Sequence, residues 1–145
     1  NDELDDLAAA GQLLMGCVES HLRTGPAVSN DAPSPLAEMD VPKSALNALH
    51  TPVFYLLGGE TDIAYPNGTD DFKRISHIPV FYANLLGVGH GGTYDKPNGG
   101  QAATAVVAWL DWQLRGDKTA ARMFTGADCG LCTDKAWKVE KKKID

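Results

Sequence analysis

The chain has 145 residues, of which 43% are hydrophobic and 22% are charged, a composition typical of a folded globular domain. Thirteen Lys and Arg against nineteen Asp and Glu give a formal net charge of −6. The only basic run, residues 138–145, is predicted to be a solvated terminus, so nucleic acid is not an expected partner. No apolar stretch approaches the length of a membrane span, so none is expected.

The first 41 residues predict a helix followed by a linker. An acidic start gives way to an alanine- and leucine-rich stretch, which indicates a helix ended by Gly25 and Pro26. Prolines are then frequent through residue 41, as is typical of a loop or linker. We therefore divide the chain into an N-terminal helix and proline-rich linker, 1–41, and a domain over 42–145.

Two apolar strands dominate the start of this domain. After a short helix predicted over 41–51, strands are predicted within 52–59 and 78–89. Both runs are continuously hydrophobic and rich in β-formers, which is typical of parallel strands covered on both faces. Residues 60–77 are long enough to provide the crossover that two parallel strands require.

A longer helix is predicted over residues 98–117. Val106, Val107, Leu110 and Leu114 share one face of it, and Gly116 supplies the stop. The order helix, strand, loop, strand, loop, helix predicts an α/β fold in three layers, with parallel strands flanked by helices.

An acid and a histidine follow the two predicted strands. Ligands of open parallel sheets bind beyond the carboxyl ends of the strands, where Asp62 and the glycine-flanked His90 are placed. The carboxylate can accept the Nδ1 proton and fix the ring, so that Nε2 acts as a general base. The plainer alternative is a histidine in an ordinary turn and an aspartate that caps a helix.

The sequence segments around these residues resemble those of a known protein family. The segments "PVFYLLGGETDIAY", "ISHIPVFYANLLGVGHGGTY" and "GGQAATAVVAWLDWQLRGD" resemble the C-terminal half of an α/β-hydrolase over about residues 42–140. The nearest branch is the secreted, dienelactone-hydrolase-like and lipase-like one, whose closing segment with paired cysteines is similar to "FTGADCGLCTDKAW".

The resemblance implies hydrolysis of small-molecule carboxylic esters by a Ser-His-Asp mechanism, without a metal or organic cofactor. In this family the chain order is nucleophile, acid, histidine. Asp62 then matches the acid and His90 the base, with Glu60 as the second choice for the acid.

The nucleophile is not identifiable in this chain. None of its serines, nor Cys17, has the small residues two positions before and after it that a strained strand-to-helix turn needs, and Leu13 occupies the serine's place in "AAAGQLLMGC". Two accounts remain. Either the nucleophile lies on an N-terminal half absent from this chain, or it has been lost and the protein is a non-catalytic, hydrolase-derived binding or interaction protein.

Cys129 and Cys132 have a two-residue spacing that suits a disulfide, a redox pair or half a zinc site. A redox motif should follow a strand and a zinc site needs a second pair of ligands, so a structural disulfide is favoured. Asn67 begins the glycosylation pattern Asn-Gly-Thr. Together these features indicate a secreted, extracellular protein.

Two tyrosines and the strand edges complete the predictions. Tyr65 and Tyr94 follow the two candidate loops and are predicted to contact the ester substrate, with packing as the alternative. Half of a sheet would leave strand edges open, which predicts a partner chain or a homodimer that covers them.

Overall fold

The computed structural model describes residues 42–145, and the helix and linker predicted over 1–41 lie outside them. No helix within the described residues is long and apolar enough to cross a lipid bilayer. The elements in chain order are a 3-10 helix η1 (Lys43–Ala48), β1 (Val53–Leu57), α1 (Tyr65–Arg74), β2 (Val80–Leu85), a 3-10 turn η2 (Pro97–Gly99), α2 (Gly100–Arg115), α3 (Lys118–Ala121), α4 (Gly130–Thr133) and β3 (Trp137–Lys142).

The described strands form one mixed sheet in the order β1-β2-β3. β1 and β2 are parallel, in register from Val53 beside Val80 to Leu57 beside Asn84, and α1 lies in the connection between them. The prediction of an α/β fold with a parallel pair is therefore confirmed.

The prediction that residues 138–145 form a solvated terminus is wrong, because most of them belong to the third strand. β3 runs antiparallel to β2, with Trp137 beside Leu85. Trp137 and Val139 pack into the core, while Lys138 and Glu140 between and beyond them are exposed, which is the period of two of a strand covered on one face. The lysines hid this alternation, although lysine is a common residue on sheet edges.

Both faces of the parallel pair are buried. Phe54 and Phe81 lie on the face covered by α2, where they contact Trp109 and Phe124. Val53 and Tyr55 belong to a second cluster, together with residues of α1 and η1, on the opposite face. This double coverage explains why the two strands are continuously hydrophobic in the sequence.

The buried face of α2 also differs from the prediction. Ala102, Ala105 and Trp109 are buried, whereas Val107, which was predicted to share an apolar face with other aliphatic residues, is 56% exposed. Small alanines let the helix approach the sheet closely, and the Trp109 ring fills the space beside Phe54 at 5.2 Å between ring centroids. The orientation of this helix is therefore set by the packing of Trp109 against aromatic rings of the sheet, and not by which face carries the most aliphatic residues.

Lysine and histidine side chains make hydrogen bonds at the amino end of the sheet, which is the end where the parallel strands β1 and β2 begin. Lys142 donates to the carbonyl oxygens of Phe72 and Lys73 in the last turn of α1 and of Ile75, its C-cap residue. Its ammonium group lies 4.4 Å from the centroid of the Phe72 ring. These bonds satisfy carbonyl groups that the end of a helix leaves without partners.

Two further contacts act at the same end. Lys43 forms an ion pair with the buried carboxylate of Asp71 on α1. His77, which precedes β2, donates from Nε2 to the carbonyl oxygen of Leu49 at 2.7 Å. The amino end is thus held together by cationic and imidazole donors on backbone and carboxylate oxygens.

Candidate active site at the carboxyl end of the parallel strands

Asp62 lies in the turn between β1 and α1 and is buried. Its Oδ2 accepts the backbone N–H of Gly58 at 2.7 Å, and its Oδ1 accepts the N–H of Ala64 at 2.8 Å. The plainer alternative, an aspartate that caps the helix, is not borne out, because the N-cap of α1 is Ala64 and no side chain caps this helix. The Asp62 carboxylate instead holds the turn before α1, and it has one further contact.

The His90 loop packs directly on the Asp62 turn. Gly89 donates its N–H to the carbonyl oxygen of Gly58 at 2.7 Å, and a Cβ on Gly58 would lie only 1.9 Å from the Gly89 oxygen. Gly89 itself has φ +67°, a conformation that favours glycine. The missing side chain of Gly58 allows this close approach of the two loops, and Gly89 supplies the left-handed backbone conformation next to His90.

The histidine and the aspartate are joined by a hydrogen bond. His90 Nδ1 lies 2.7 Å from Asp62 Oδ1 and donates a hydrogen bond to the carboxylate. The Asp62 side chain is 6% exposed and the His90 side chain 38% exposed, so the acid is inside the protein and the imidazole reaches the surface. A neutral ring that donates from Nδ1 carries its lone pair at Nε2, which is the arrangement a general base requires.

Asp62 is held in its ionised form. Burial acts to raise its pKa, but the backbone N–H groups of Ala64 and Gly58, together with the bond to His90, outweigh burial and lower the pKa below its ordinary value of 3.8. At neutral pH the carboxylate is therefore negatively charged. Its charge would stabilise the imidazolium that forms when His90 accepts a proton.

Asn84 was not singled out from the sequence. It is the last residue of β2 paired with β1, its side chain is buried, and its Oδ1 accepts the N–H of Gly59 at 2.7 Å. The sequence feature that could have identified Asn84 is that it is the one carboxamide in an otherwise apolar strand.

The tyrosines differ in their surroundings. Tyr94 is 83% exposed on the loop after His90, whereas Tyr65 is partly buried and packs against the cluster between α1 and β2. Glu60, the second choice for the acid, is exposed. Asp62, not Glu60, bonds the histidine.

Two other predicted sites can be located. Cys129 and Cys132 are joined by a disulfide between the N-cap of α4 and its third residue, so in this form neither sulfur is available for a zinc ion. Asn67 lies within α1, and its Nδ2 atom, to which a glycan would attach, is buried without a hydrogen-bond partner. The folded arrangement therefore does not favour glycosylation at this residue.

The two serines of the described residues lie away from the histidine. Ser44 is in η1 and Ser76 lies between α1 and β2, so both are placed toward the amino end of the sheet, opposite His90. The other serines and Cys17 lie outside the described residues. Within residues 42–145, no group of three or more His, Cys, Asp or Glu side chains is arranged to bind a metal ion.

A cavity of about 430 Å³ lies between the start of α2, α4 and the start of β3. Gln101, Leu131 and Trp137 are among its lining residues, and Asp62 and His90 are not. No protein-family model matches the chain, and no curated protein matches it either. Assignment of a function therefore depends on the geometry of the residues themselves.

Proposed function

We propose that residues 42–145 are the C-terminal half of an α/β-hydrolase-type domain and that they supply the acid and the base of a Ser-His-Asp ester hydrolase. The observation that carries this proposal is the 2.7 Å hydrogen bond between His90 and the buried Asp62. Both residues follow the carboxyl ends of two parallel strands, where ligands of such sheets bind.

The proposed reaction is acyl transfer from a small-molecule ester to water. His90 Nε2 takes the proton of the attacking hydroxyl as its oxygen bonds to the ester carbonyl carbon. The imidazolium then donates that proton to the leaving alkoxide, and an alcohol departs. Water attacks the acyl-enzyme by the same proton path, which releases the carboxylic acid and restores the hydroxyl.

The hydroxyl in this proposal comes from outside residues 42–145, on a Gly-x-Ser-x-Gly turn. The positions of Ser44 and Ser76 toward the amino end of the sheet support an external source. Among the described strands, β1 pairs only with β2, so its other edge is where a further strand or a partner chain would add. The disulfide supports a secreted location for the protein.

The test uses the full-length product of the gene, with all of its segments, and a fluorophosphonate probe that reacts with activated serines. We expect covalent labelling and turnover of p-nitrophenyl esters, and loss of both in the His90→Ala variant. A folded protein that is labelled equally well with and without His90 would contradict the proposal.

A second candidate function is a hydrolase-derived binding protein without turnover. The observation in its favour is that the serines of residues 42–145 lie away from the dyad and the cysteines are paired. No labelling and no turnover, together with measurable binding of an ester analogue that His90→Ala weakens, would identify this function instead.

A further inference from the structure

Asn84 is a polar residue at the centre of the sheet. It lies on β2, which has a strand on each side, and it is only 1% exposed. The other five residues of β2 are hydrophobic. Since burial of a carboxamide is unfavourable unless it is hydrogen-bonded, the contacts of this side chain show why it is tolerated here.

The Asn84 side chain continues the bonding between the strands beyond the end of the ladder. Regular pairing of β1 with β2 ends where Leu57 lies beside Asn84. Asn84 Oδ1 accepts the N–H of Gly59, which is two residues after Leu57, at 2.7 Å. Gly59 has φ +97°, so this bond holds a conformation that most residues avoid.

Gly59 is also bonded to the residue that orients the histidine. Its carbonyl oxygen accepts the backbone N–H of Asp62 at 3.0 Å, and the preceding Gly58 donates to the Asp62 carboxylate. A continuous series of contacts therefore runs from Asn84 through Gly59 to Asp62, and from Asp62 to His90. Displacement of Gly59 would displace the carboxylate as well.

We propose that Asn84 is a positioning residue for the Asp62–His90 pair, which acts by fixing the Gly59 turn and does not itself touch a substrate. Its effect on a reaction rests on the proposed hydrolase function. Its effect on the orientation of His90 does not, and that effect can be measured without any substrate.

The experiment compares Asn84→Leu with Tyr82→Phe in the full chain. Leucine has a similar volume but offers no acceptor to Gly59. Tyr82→Phe is the matched control, because it lies on the same strand and removes a hydroxyl that bonds Thr69 at 2.9 Å on the α1 face, away from Gly59. Nitrogen-15 NMR of the His90 ring reports how much of the neutral imidazole is protonated at Nδ1.

We expect Asn84→Leu to shift the His90 tautomer ratio away from the Nδ1–H form by roughly fivefold to tenfold, the change that corresponds to one hydrogen bond of ordinary net strength. Tyr82→Phe should leave the ratio unchanged. An unchanged ratio in Asn84→Leu, or an equal shift in Tyr82→Phe, would overturn the proposal.

If Asn84→Leu does not fold, the unaltered protein still provides a test. Hydrogen exchange of the Gly59 amide should be as slow as that of the β2 amides, because Asn84 holds it like a ladder bond. Exchange at the rate of an exposed loop would overturn the proposal. Where ester turnover is established, Asn84→Leu should lower kcat and leave KM nearly unchanged, whereas absence of turnover would refute only the hydrolase function.

Discussion

The two ends of β2 each have a histidine with a short hydrogen bond, but the two sites differ in what the bond does. His77, before the strand, donates to the backbone carbonyl of Leu49. His90, after the strand, donates to the carboxylate of Asp62. The first bond ties two loops together, and the second fixes the tautomer of a ring whose partner is charged and buried.

The groups that donate hydrogen bonds around the two ends of the sheet also differ. At the amino end, Lys142 and Lys43 place ammonium groups on carbonyl and carboxylate oxygens. At the carboxyl end, backbone N–H groups of Gly58 and Ala64 bind the Asp62 carboxylate. A hydrogen-bonded histidine is therefore no sign of function by itself. The buried carboxylate that orients it, and its position at the strand ends where ligands bind, distinguish His90.

The largest expected effect is on the ester hydrolysis proposed for the carboxyl end. Asp62→Asn keeps the shape of the side chain but removes the charge and the preference for the Nδ1–H tautomer of His90. In the full-length gene product we expect kcat for ester hydrolysis to fall about 10⁴-fold. Asp70→Asn, an exposed aspartate on α1, is the matched control and should change kcat less than twofold. An equal loss in both variants would contradict the assigned role of Asp62.

The next effect concerns stability at the amino end. Lys43→Met leaves the buried carboxylate of Asp71 without its cation. Because an uncompensated buried charge is costly, we expect a loss of about 3 kcal/mol in the free energy of unfolding. Urea titration measures it, and the double variant Lys43→Met with Asp71→Leu should recover most of the loss. No recovery would mean that packing of the lysine stem, not its charge, is what matters.

Lys142→Met removes the donor shared by three carbonyls at the end of α1. Since hydrogen bonds from charged donors are stronger than neutral ones, we expect a loss of about 2 kcal/mol in the free energy of unfolding. Lys141→Met, which loses one exposed bond to the Gly126 carbonyl, should cost about 0.5 kcal/mol. Similar losses in the two variants would show that the bonds from Lys142 to the end of α1 contribute no more to stability than an exposed bond does.

The smallest effect is a dependence of stability on pH that belongs to the carboxyl end. Folding lowers the pKa of Asp62, so its contribution to stability is present above its ordinary pKa of 3.8 and is lost as the pH falls through the lower folded value. The stability difference between the original protein and Asp62→Asn should therefore shrink below about pH 4. Urea midpoints over a pH series measure this difference. A difference that grows on acidification would contradict the direction of the pKa change.

The two parallel strands and the acid–histidine contact could be predicted, because a continuous apolar run marks each strand and one of the two site residues follows each run. Continuous apolar runs predict doubly covered parallel strands, and parallel strands bring the residues after them to one edge. Asp62 and His90 are 28 positions apart in the chain, yet the pairing of β1 with β2 is sufficient to bring them together.

Other features depend on partners that the sequence does not identify. The sequence predicts one apolar face of α2 that includes Val107, whereas in the structure Trp109 packs on Phe54 and Val107 is exposed. β3 was missed because its lysines resemble a solvated tail. Asn84 is visible as an isolated polar residue in a strand, but no pattern specifies that it binds the backbone of Gly59.

The most direct test of the central claim compares the two histidines. Ester hydrolysis is measured on the full-length gene product carrying His90→Gln or His77→Gln, where glutamine can still donate a hydrogen bond but cannot serve as a general base. We expect kcat/KM to fall by about 10⁴-fold or more in His90→Gln and to stay within twofold in His77→Gln. Full activity in His90→Gln, or an equal loss in His77→Gln, would contradict the role of His90 as the base.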